Sequence, residues 1–329
     1  MPRTVQAQHD RFALSRPFRI ARGEKHFAEV ITVAITKDGA TGRGEGVPYP
    51  RYGESVEGAL AQVESVREAL EAGLDREGLI GSLAPGAARN AIDCALWDLE
   101  SRRSGEGIAA RLGIAAGGPM ASALTIVIDT PAAMAAAAAE AGDAPLLKIK
   151  VDSVRPAERI FAVRAAARRA ALIVDPNESW DRAMVESMQP VLVEAGIALL
   201  EQPVPAGADS WLEDFRPEVP ICADESVHVA ADLDAVARRY QAVNVKLDKA
   251  GGLTAAVDLA RAARARGLGV MTGCMVCSSL SIAPALHVAA LSDFADLDGP
   301  LWLREDRPGG VRERNGILFP PEPGFWGCA

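Results

Sequence analysis

Along the second half of this 329-residue chain, charged side chains recur at a spacing that calls for an explanation. From Lys150 they fall at Asp175, Glu201, Asp224 and Lys246, at intervals of 25, 26, 23 and 22 residues. Each sits at the end of a short apolar run: LLKIK, LIVDPN, ALLEQP, ICADES and VNVKL. Lys148 and Lys150, two apart, would crowd two ammonium groups together. Repulsion and burial then lower a lysine pKa toward the range of a usable base. Three carboxylates, Asp175, Glu201 and Asp224, cannot share one place unpaired. With oxygen donors and no His or Cys among them, they suit Mg2+ better than zinc. Asn177 and Glu225, just past two of them, are candidates for orienting the ligands. Asp296 and Asp298 in FADLDGP add a second acidic pair, complementary to a cationic substrate group such as an α-ammonium.

The spacing is that of one strand, one helix and two loops, so the stretch reads as repeated βα units around a parallel barrel. In such a barrel the C-terminal ends of all strands face one opening, where catalytic residues gather. Side chains two apart on a strand point the same way. Lys148 and Lys150 should therefore face the interior, and Leu147 and Ile149 the helices. Strands two and six lie across a barrel from one another, so Lys150 and Lys246 would reach a bound carbon from opposite faces. One would take a proton and the other return it, inverting that carbon. A barrel lysine can also form a Schiff base, but that use leaves the three carboxylates unexplained. SALTIVI should be strand one, with Thr125 near its end. The following helix should be capped at Asp129/Thr130, with Pro131 in its first turn and Gly142 at its stop. Cys274 and Cys277, in GCMVCSS after strand seven, read as small residues lining the pocket rather than as a redox pair.

Residues 1–117 lack this period and read as an α+β capping domain. The barrel should occupy 118–300, and 301–329, rich in Pro and Gly, should return to the cap. EVITVAIT reads as part of a strand meander. Gly42, Gly44 and Gly46 would suit a dinucleotide loop only if a helix opened at once behind them; none does, and they read as turn glycines. Residues 55–72 and the segment GAARNAIDCALWDLESRRSG should be amphipathic helices. The loops around Arg22 and around Arg51, Tyr52 and Glu54 mix aromatic and charged residues as binding loops do. The four histidines, His9, His26, His228 and His287, avoid the strand ends. Five cysteines, an odd number mostly in apolar runs, argue against a disulfide framework. A net charge of −9 disfavours nucleic acid as a partner. No run is long and apolar enough for a membrane, so a cytoplasmic protein acting on a small molecule is expected.

The motifs LKIKVD, IVDPNESW, LLEQPVP, ICADES, VNVKLDKAGG and FADLDGP together resemble the enolase superfamily, in its muconate lactonising subgroup, and most closely the dipeptide epimerases that act on L-Ala-D/L-Glu. Lys or His bases with magnesium stabilising an ene-diolate are the superfamily's known chemistry. The resemblance implies a (β/α)7β TIM-like barrel with an N-terminal α+β cap. Lys150 and Lys246 would be the two bases, and Asp175, Glu201 and Asp224 would hold Mg2+. Lys148 would lie beside the substrate carboxylate, and Asp296 and Asp298 would hold the dipeptide's α-ammonium. Arg22 would meet the glutamate side chain, while Thr125 and the Cys274 region line the pocket. The substrate so implied is a murein fragment, placing the chain in peptidoglycan recycling. Pro176 in DPN departs modestly from the family pattern. Other readings on the same frame are epimerisation of a different dipeptide, o-succinylbenzoate synthesis or muconate cycloisomerisation; the last two substrates carry no ammonium for Asp296 and Asp298. A metal-dependent binding protein without catalysis would not need both lysines. Barrels of this family often form homo-oligomers, and no patch in the sequence declares an interface.

Overall fold

A computed structural model describes residues 3–115 and 117–327. The chain opens with an antiparallel meander, β1 (Thr4–Ile20), β2 (Gly23–Lys37) and β3 (Ala40–Gly46). Helices α1 (Val56–Ser65), α2 (Arg67–Ala72), α3 (Arg76–Ser82), α4 (Ala87–Ser104) and α5 (Ile108–Leu112) follow. The helical pattern of residues 55–72 is thus split at Val66, which caps both halves.

Two expectations for this region change. Gly42, Gly44 and Gly46 are not turn glycines; the turn precedes them, and all three lie in β3 with one face against α4. A Cβ on Gly44 would fall 2.1 Å from the Ala91 carbonyl oxygen, and one on Gly42 2.2 Å from that of Ala95. Strand and helix therefore touch backbone to backbone, which only glycine permits. Nor is α4 amphipathic: it is buried nearly all round, between the meander and the barrel. Its polar residues are hydrogen-bonded inside. Arg89 donates to the Gly251 and Ala250 carbonyls at 3.0 and 2.5 Å, and Asp93 accepts from the Thr254 hydroxyl at 2.6 Å.

After the short β4 (Met120–Ala121), β5 (Leu124–Ile126) begins the barrel, and α6 (Pro131–Glu140) follows with the expected cap, Thr130 Oγ1 accepting from Ala133 N–H at 3.2 Å. The series continues as β6 (Leu146–Lys150), α7 (Pro156–Ala166), β7 (Ala171–Asp175), α8 (Arg182–Glu194), β8 (Ile197–Glu201) and β9 (Ile221–Ala223). It ends as α9 (Leu233–Val236), β10 (Ala242–Val245), α10 (Leu247–Ala250), α11 (Leu253–Ala265), β11 (Gly269–Gly273), α12 (Ser279–Ala289) and β12 (Phe294–Asp296). β5 to β12 form one eight-stranded sheet, in sequence order and parallel. Its two edges meet where Ala123 N–H donates to the Ala295 carbonyl at 2.8 Å. The crossover from β8 to β9 has only a 3-10 turn, Ser210–Glu213, in place of a helix. Pro203, Pro205, Pro217 and Pro220 in that stretch are poor helix material.

The strand parity holds. Leu147 and Ile149 pack outward into the main core against the helices, whereas Leu146, on the side of Lys148 and Lys150, joins an inner layer with Ala123, Ile173, Leu199, Cys222, Ala242 and Met271. That layer plugs the barrel beneath the charged residues. Of the last strands, β13 (Arg312–Arg314) pairs with β14 (Ile317–Phe319), which in turn pairs with β4. The chain then runs back to α4, where Gly327 N–H donates to Asp98 at 2.7 Å. Cys94, Cys222, Cys274 and Cys277 are free thiols; Cys328 lies outside the described residues. Among the described residues, no helix is long and apolar enough to cross a membrane.

Candidate active site

The C-terminal ends of β5 to β12 open into a cavity of about 260 Å3 under the β1–β2 hairpin and the loop that carries Tyr49 and Tyr52. Thr125, Lys148, Lys150, Lys246, Asn177, Glu225, Cys274, Asp296 and Asp298 line it from the barrel, and Arg22 from the cap. Asp175, Glu201 and Asp224 lie below, fully buried on three neighbouring strand ends. The residues singled out in the sequence thus converge on one place, although those of the barrel alone span 174 positions from Thr125 to Asp298 and Arg22 comes from the cap.

Every carboxylate on the floor faces an ammonium. Lys150 Nζ donates to Asp175 Oδ2 at 2.5 Å. Lys148 Nζ stands among Asp175, Glu201 and Asp296, at 3.0, 2.6 and 2.7 Å. Lys246 and Lys249 share Asp224, at 2.7 and 2.6 Å. The expectation that crowding lowers the pKa of the KxK pair is not met at Lys148. Burial alone would depress it, but Asp296, Glu201 and Asp175 raise it well above the usual lysine value. Burial likewise opposes Lys246, and Asp224 and Glu201 again raise it. Burial would lift Asp175 and Asp224 too, but the lysines hold both below the ordinary carboxylate range. Glu201 is the exception: burial, then Asp175, pushes it up to about 7.

Neighbouring groups orient these acids. Asn177 donates its backbone N–H and its side-chain amide to the two oxygens of Asp175 at 2.8 and 3.1 Å. Asn244 Nδ2 donates to Glu201 Oε1 at 2.8 Å, and Gln202 Oε1 accepts from Asp224 N–H at 2.8 Å. Asn177, Glu178 and Gln202 have positive φ, so the chain is strained where strands β7 and β8 deliver their carboxylates. Asn244 was legible in principle, since it shares a strand face with Lys246. Lys249, on a helical turn beyond the strand, gave no such signal.

Glu225 turns away from the carboxylates toward the cap, where its Oε1 is 2.7 Å from Arg22 Nη2. Glu178 takes Arg22 at 3.1 Å and Arg51 through two bonds of 2.8 Å. Tyr52 lines the cavity and meets the His228 ring edge-on at 4.6 Å. Glu54 has a structural use, accepting from Ala87 and Tyr49 N–H at the start of α4. Asp298 Oδ2 accepts from Thr125 N–H at 2.8 Å and Trp302 Nε1 at 3.2 Å, tying the first strand to the last; burial, then Asp296, lifts its pKa to about 6.

Among the described residues, no three His, Cys, Asp or Glu side chains are already gathered as a metal shell, because the lysines stand between the acids. The donor set nevertheless suits a hard divalent cation. Three buried carboxylates end adjacent strands, and Glu201 Oε2 accepts no aligned hydrogen bond, although Lys148 is 2.6 Å away.

Two family models match the chain. Residues 2–113 match the mandelate racemase / muconate lactonizing enzyme N-terminal domain, and residues 131–325 the enolase C-terminal domain-like family. The chain belongs to the enolase superfamily, and within it is an isomerase of the epimerase kind. It is similar to an L-Ala-D/L-Glu epimerase of Escherichia coli K12, at 48% identity over 92% of this chain and 95% of that one. A crystal structure of an enolase family member from Agrobacterium tumefaciens, with homology to dipeptide epimerases and with bound sodium and L-Ala-L-Glu, superposes with TM-score 0.97 at 46% identity, over 99% of this chain and 100% of that one. A dipeptide epimerase from Methylococcus capsulatus, complexed with Mg and L-Arg-D-Lys, has TM-score 0.89 at 33% identity over 98% of both chains.

Proposed function

We propose that the protein is a Mg2+-dependent dipeptide epimerase that interconverts L-Ala-D-Glu and L-Ala-L-Glu by two-base proton transfer at the glutamate α-carbon, within cytoplasmic murein peptide metabolism. The observation that carries this reading is the pair of buried lysines, Lys150 and Lys246, that enter one cavity from β6 and from the end of β10, four strands apart around the barrel. A dipeptide lying between them presents opposite faces of its α-carbon to two amines.

In one direction Lys150, in its neutral form, takes the α-proton, and the ammonium of Lys246 gives a proton to the other face. In the reverse direction the roles exchange, so one proton enters and one leaves per turnover. Asp175 and Asp224 hold the two ammonium groups in position between turnovers. Asp175, Glu201 and Asp224 would hold Mg2+, which when bound supplies positive charge to stabilise the negative charge that develops on the substrate carboxylate. Lys148 lies beside that carboxylate. Asp296 and Asp298 receive the dipeptide's α-ammonium, and Thr125 and Cys274 close the walls. The cap hairpin covers the side chain of the second residue and keeps water from the reacting carbon. Proton NMR of L-Ala-D-Glu in D2O with the protein and Mg2+ tests the reading. Loss of the glutamate α-proton signal together with appearance of the second diastereomer is expected; absence of exchange in either diastereomer would overturn it.

A further inference from the structure

The proposed reaction uses no thiol, yet two thiols meet at the wall of its cavity. Cys274, half-buried, lines the cavity just past the end of β11, and Cys277 is fully buried beside it. The two thiols are hydrogen-bonded to one another. Both sulfurs also crowd the bare Cα of Gly299, where a Cβ would fall 3.0 Å from the Cys277 Sγ and 3.1 Å from the Cys274 Sγ. Sulfurs in contact can be bridged without a large movement of the backbone. The other described thiols are placed differently: Cys94 donates to Asn90 at 3.3 Å inside α4, and Cys222 packs in the inner layer of the barrel.

In the sequence, the position of this motif after a strand counted against redox chemistry. In the fold the motif also runs straight into a helix, with Ser278 capping α12. Both ends of the loop are pinned. Gly273 belongs to β11 and pairs with Asp296 of β12, while Ser278 is held by Glu45 of the cap, which accepts its N–H at 2.8 Å and its hydroxyl as well. A new bond between the sulfurs must therefore be accommodated by the residues between those anchors. Cys274, Met275 and Val276 among them are cavity wall, and the Met275 carbonyl oxygen stands only 2.5 Å from where a Gly299 Cβ would be. Gly299 directly follows Asp298, the acid assigned to the substrate ammonium. A shift of this loop is thus transmitted to the place where the dipeptide is held.

Burial pushes the Cys277 thiol well above its usual pKa, and Cys274, Glu45 and Asp248 push it the same way. The reduced form accordingly lacks the stabilised thiolate that makes a strongly oxidising dithiol easy to keep reduced. A disulfide carries no charge, so neither burial nor these acids oppose it.

We propose that Cys274 and Cys277 form a reversible oxidation site, which a hydroperoxide converts to a disulfide that closes the active site and a thiol reductant reopens. Two steps balance the reaction. The Cys274 sulfur, the one open to the cavity, attacks a hydroperoxide oxygen; the O–O bond breaks, Cys274 becomes a sulfenic acid, and its thiol proton leaves with the other oxygen as alcohol or water. The Cys277 sulfur then attacks the Cys274 sulfur, the S–O bond breaks, and the Cys277 proton goes to the departing hydroxide as water. One hydroperoxide is reduced and two thiols are oxidised.

The test exposes the full chain, with Mg2+, to hydrogen peroxide and follows two readouts: a map of disulfide-linked peptides, and kcat/KM for epimerisation before and after dithiothreitol. The expected result is a link between Cys274 and Cys277, a fall in kcat/KM by at least about tenfold as the wall shifts, and recovery with dithiothreitol. Recovery separates the disulfide from oxidation of Met275, whose sulfoxide needs a dedicated reductase. Cys277→Ser, compared with its own untreated form, should make no such link. Continued peroxide should then carry Cys274 to the sulfinic acid, and dithiothreitol should not restore activity. Thiols that are oxidised without being linked would overturn the proposal, as would a link that leaves kcat/KM unchanged. So would a loss in Cys277→Ser that dithiothreitol reverses as fully as in the native enzyme. A protein that epimerises no dipeptide fails the preceding section, while the peptide map still decides whether the link forms.

Discussion

Lys150 and Lys246 reach one cavity from strands four apart, and each rests on a carboxylate of a neighbouring strand end: Lys150 Nζ is 2.5 Å from Asp175 and Lys246 Nζ 2.7 Å from Asp224. Each lysine is thus fixed by its own acid, and on the two-base proposal the two can be disabled separately. Lys246→Ala should abolish epimerisation while the α-proton of one epimer still exchanges with solvent through Lys150, and Lys150→Ala should do the reverse. The readout is NMR of each diastereomer in D2O; loss of exchange in both epimers from either single variant would refute separate roles.

Removal of divalent cations should silence the enzyme, because Asp175 and Asp224 then remain bound to Lys150 and Lys246, the proposed bases, and Glu201 to Lys148. Activity should vanish in EDTA and return with Mg2+. The native protein should also melt higher in saturating Mg2+, by up to about 2.7 kcal/mol of added stability at a hundredfold excess over Kd. Asp224→Asn should lose that shift. A melting point insensitive to Mg2+ would argue against the carboxylates as its ligands.

Glu178 accepts from both cap arginines and from Ala206 N–H at 2.8 Å, with its side chain only 7% exposed. Glu178→Gln leaves the shape but removes the charge that both guanidinium groups face. Stability should fall by about 2 kcal/mol, and amide exchange in the hairpin at residues 20–25 should quicken. Unchanged exchange would show that the hairpin is held by other contacts.

Gly44→Ala places a methyl 2.1 Å from the Ala91 carbonyl oxygen, inside a contact between β3 and α4 that cannot open without parting the meander from the helix. A loss of about 3 kcal/mol is expected, at the upper end for overpacking. Gly39→Ala, at a turn with open space around it but a φ of 79°, should cost only about 1 kcal/mol. Urea unfolding of the two variants compares them directly, and equal losses would contradict the packing argument.

His287 lies against Trp326, ring centroids 5.9 Å apart, and burial lowers its pKa from 6.5 to about 4. The folded state therefore prefers the neutral ring. The stability this gives is complete above pH 6.5 and is lost as pH falls from there toward 4, because only the unfolded chain takes up the proton over that range. The loss should be on the order of 3 kcal/mol. His287→Gln should flatten the stability profile between pH 6.5 and 4; an unaltered slope would assign acid sensitivity elsewhere.

The regular recurrence of Lys150, Asp175, Glu201, Asp224 and Lys246 was enough, before any coordinates, to predict a parallel barrel and a single charged opening. Spacing along a chain and alternation along a strand are local properties of the backbone, so they also told which face of β6 carries the lysines. The α4 helix was legible as a helix but not as one buried on every side, because one side of its cover comes from barrel helices such as the one carrying Ala250, 161 positions from Arg89. The crossover after β8 kept the length of a βα unit without its helix, and spacing cannot distinguish the two. Gly42, Gly44 and Gly46 announced a requirement for bare backbone, and only the packed helix revealed that the reason was contact rather than a turn. Within the site, residue types named the chemistry, whereas closure of the barrel and docking of the cap decided the pairings. Lys148 found three acids, and Arg22 was taken by Glu178 and Glu225. Pairings of this kind depend on distances between segments far apart in sequence, which no periodicity records.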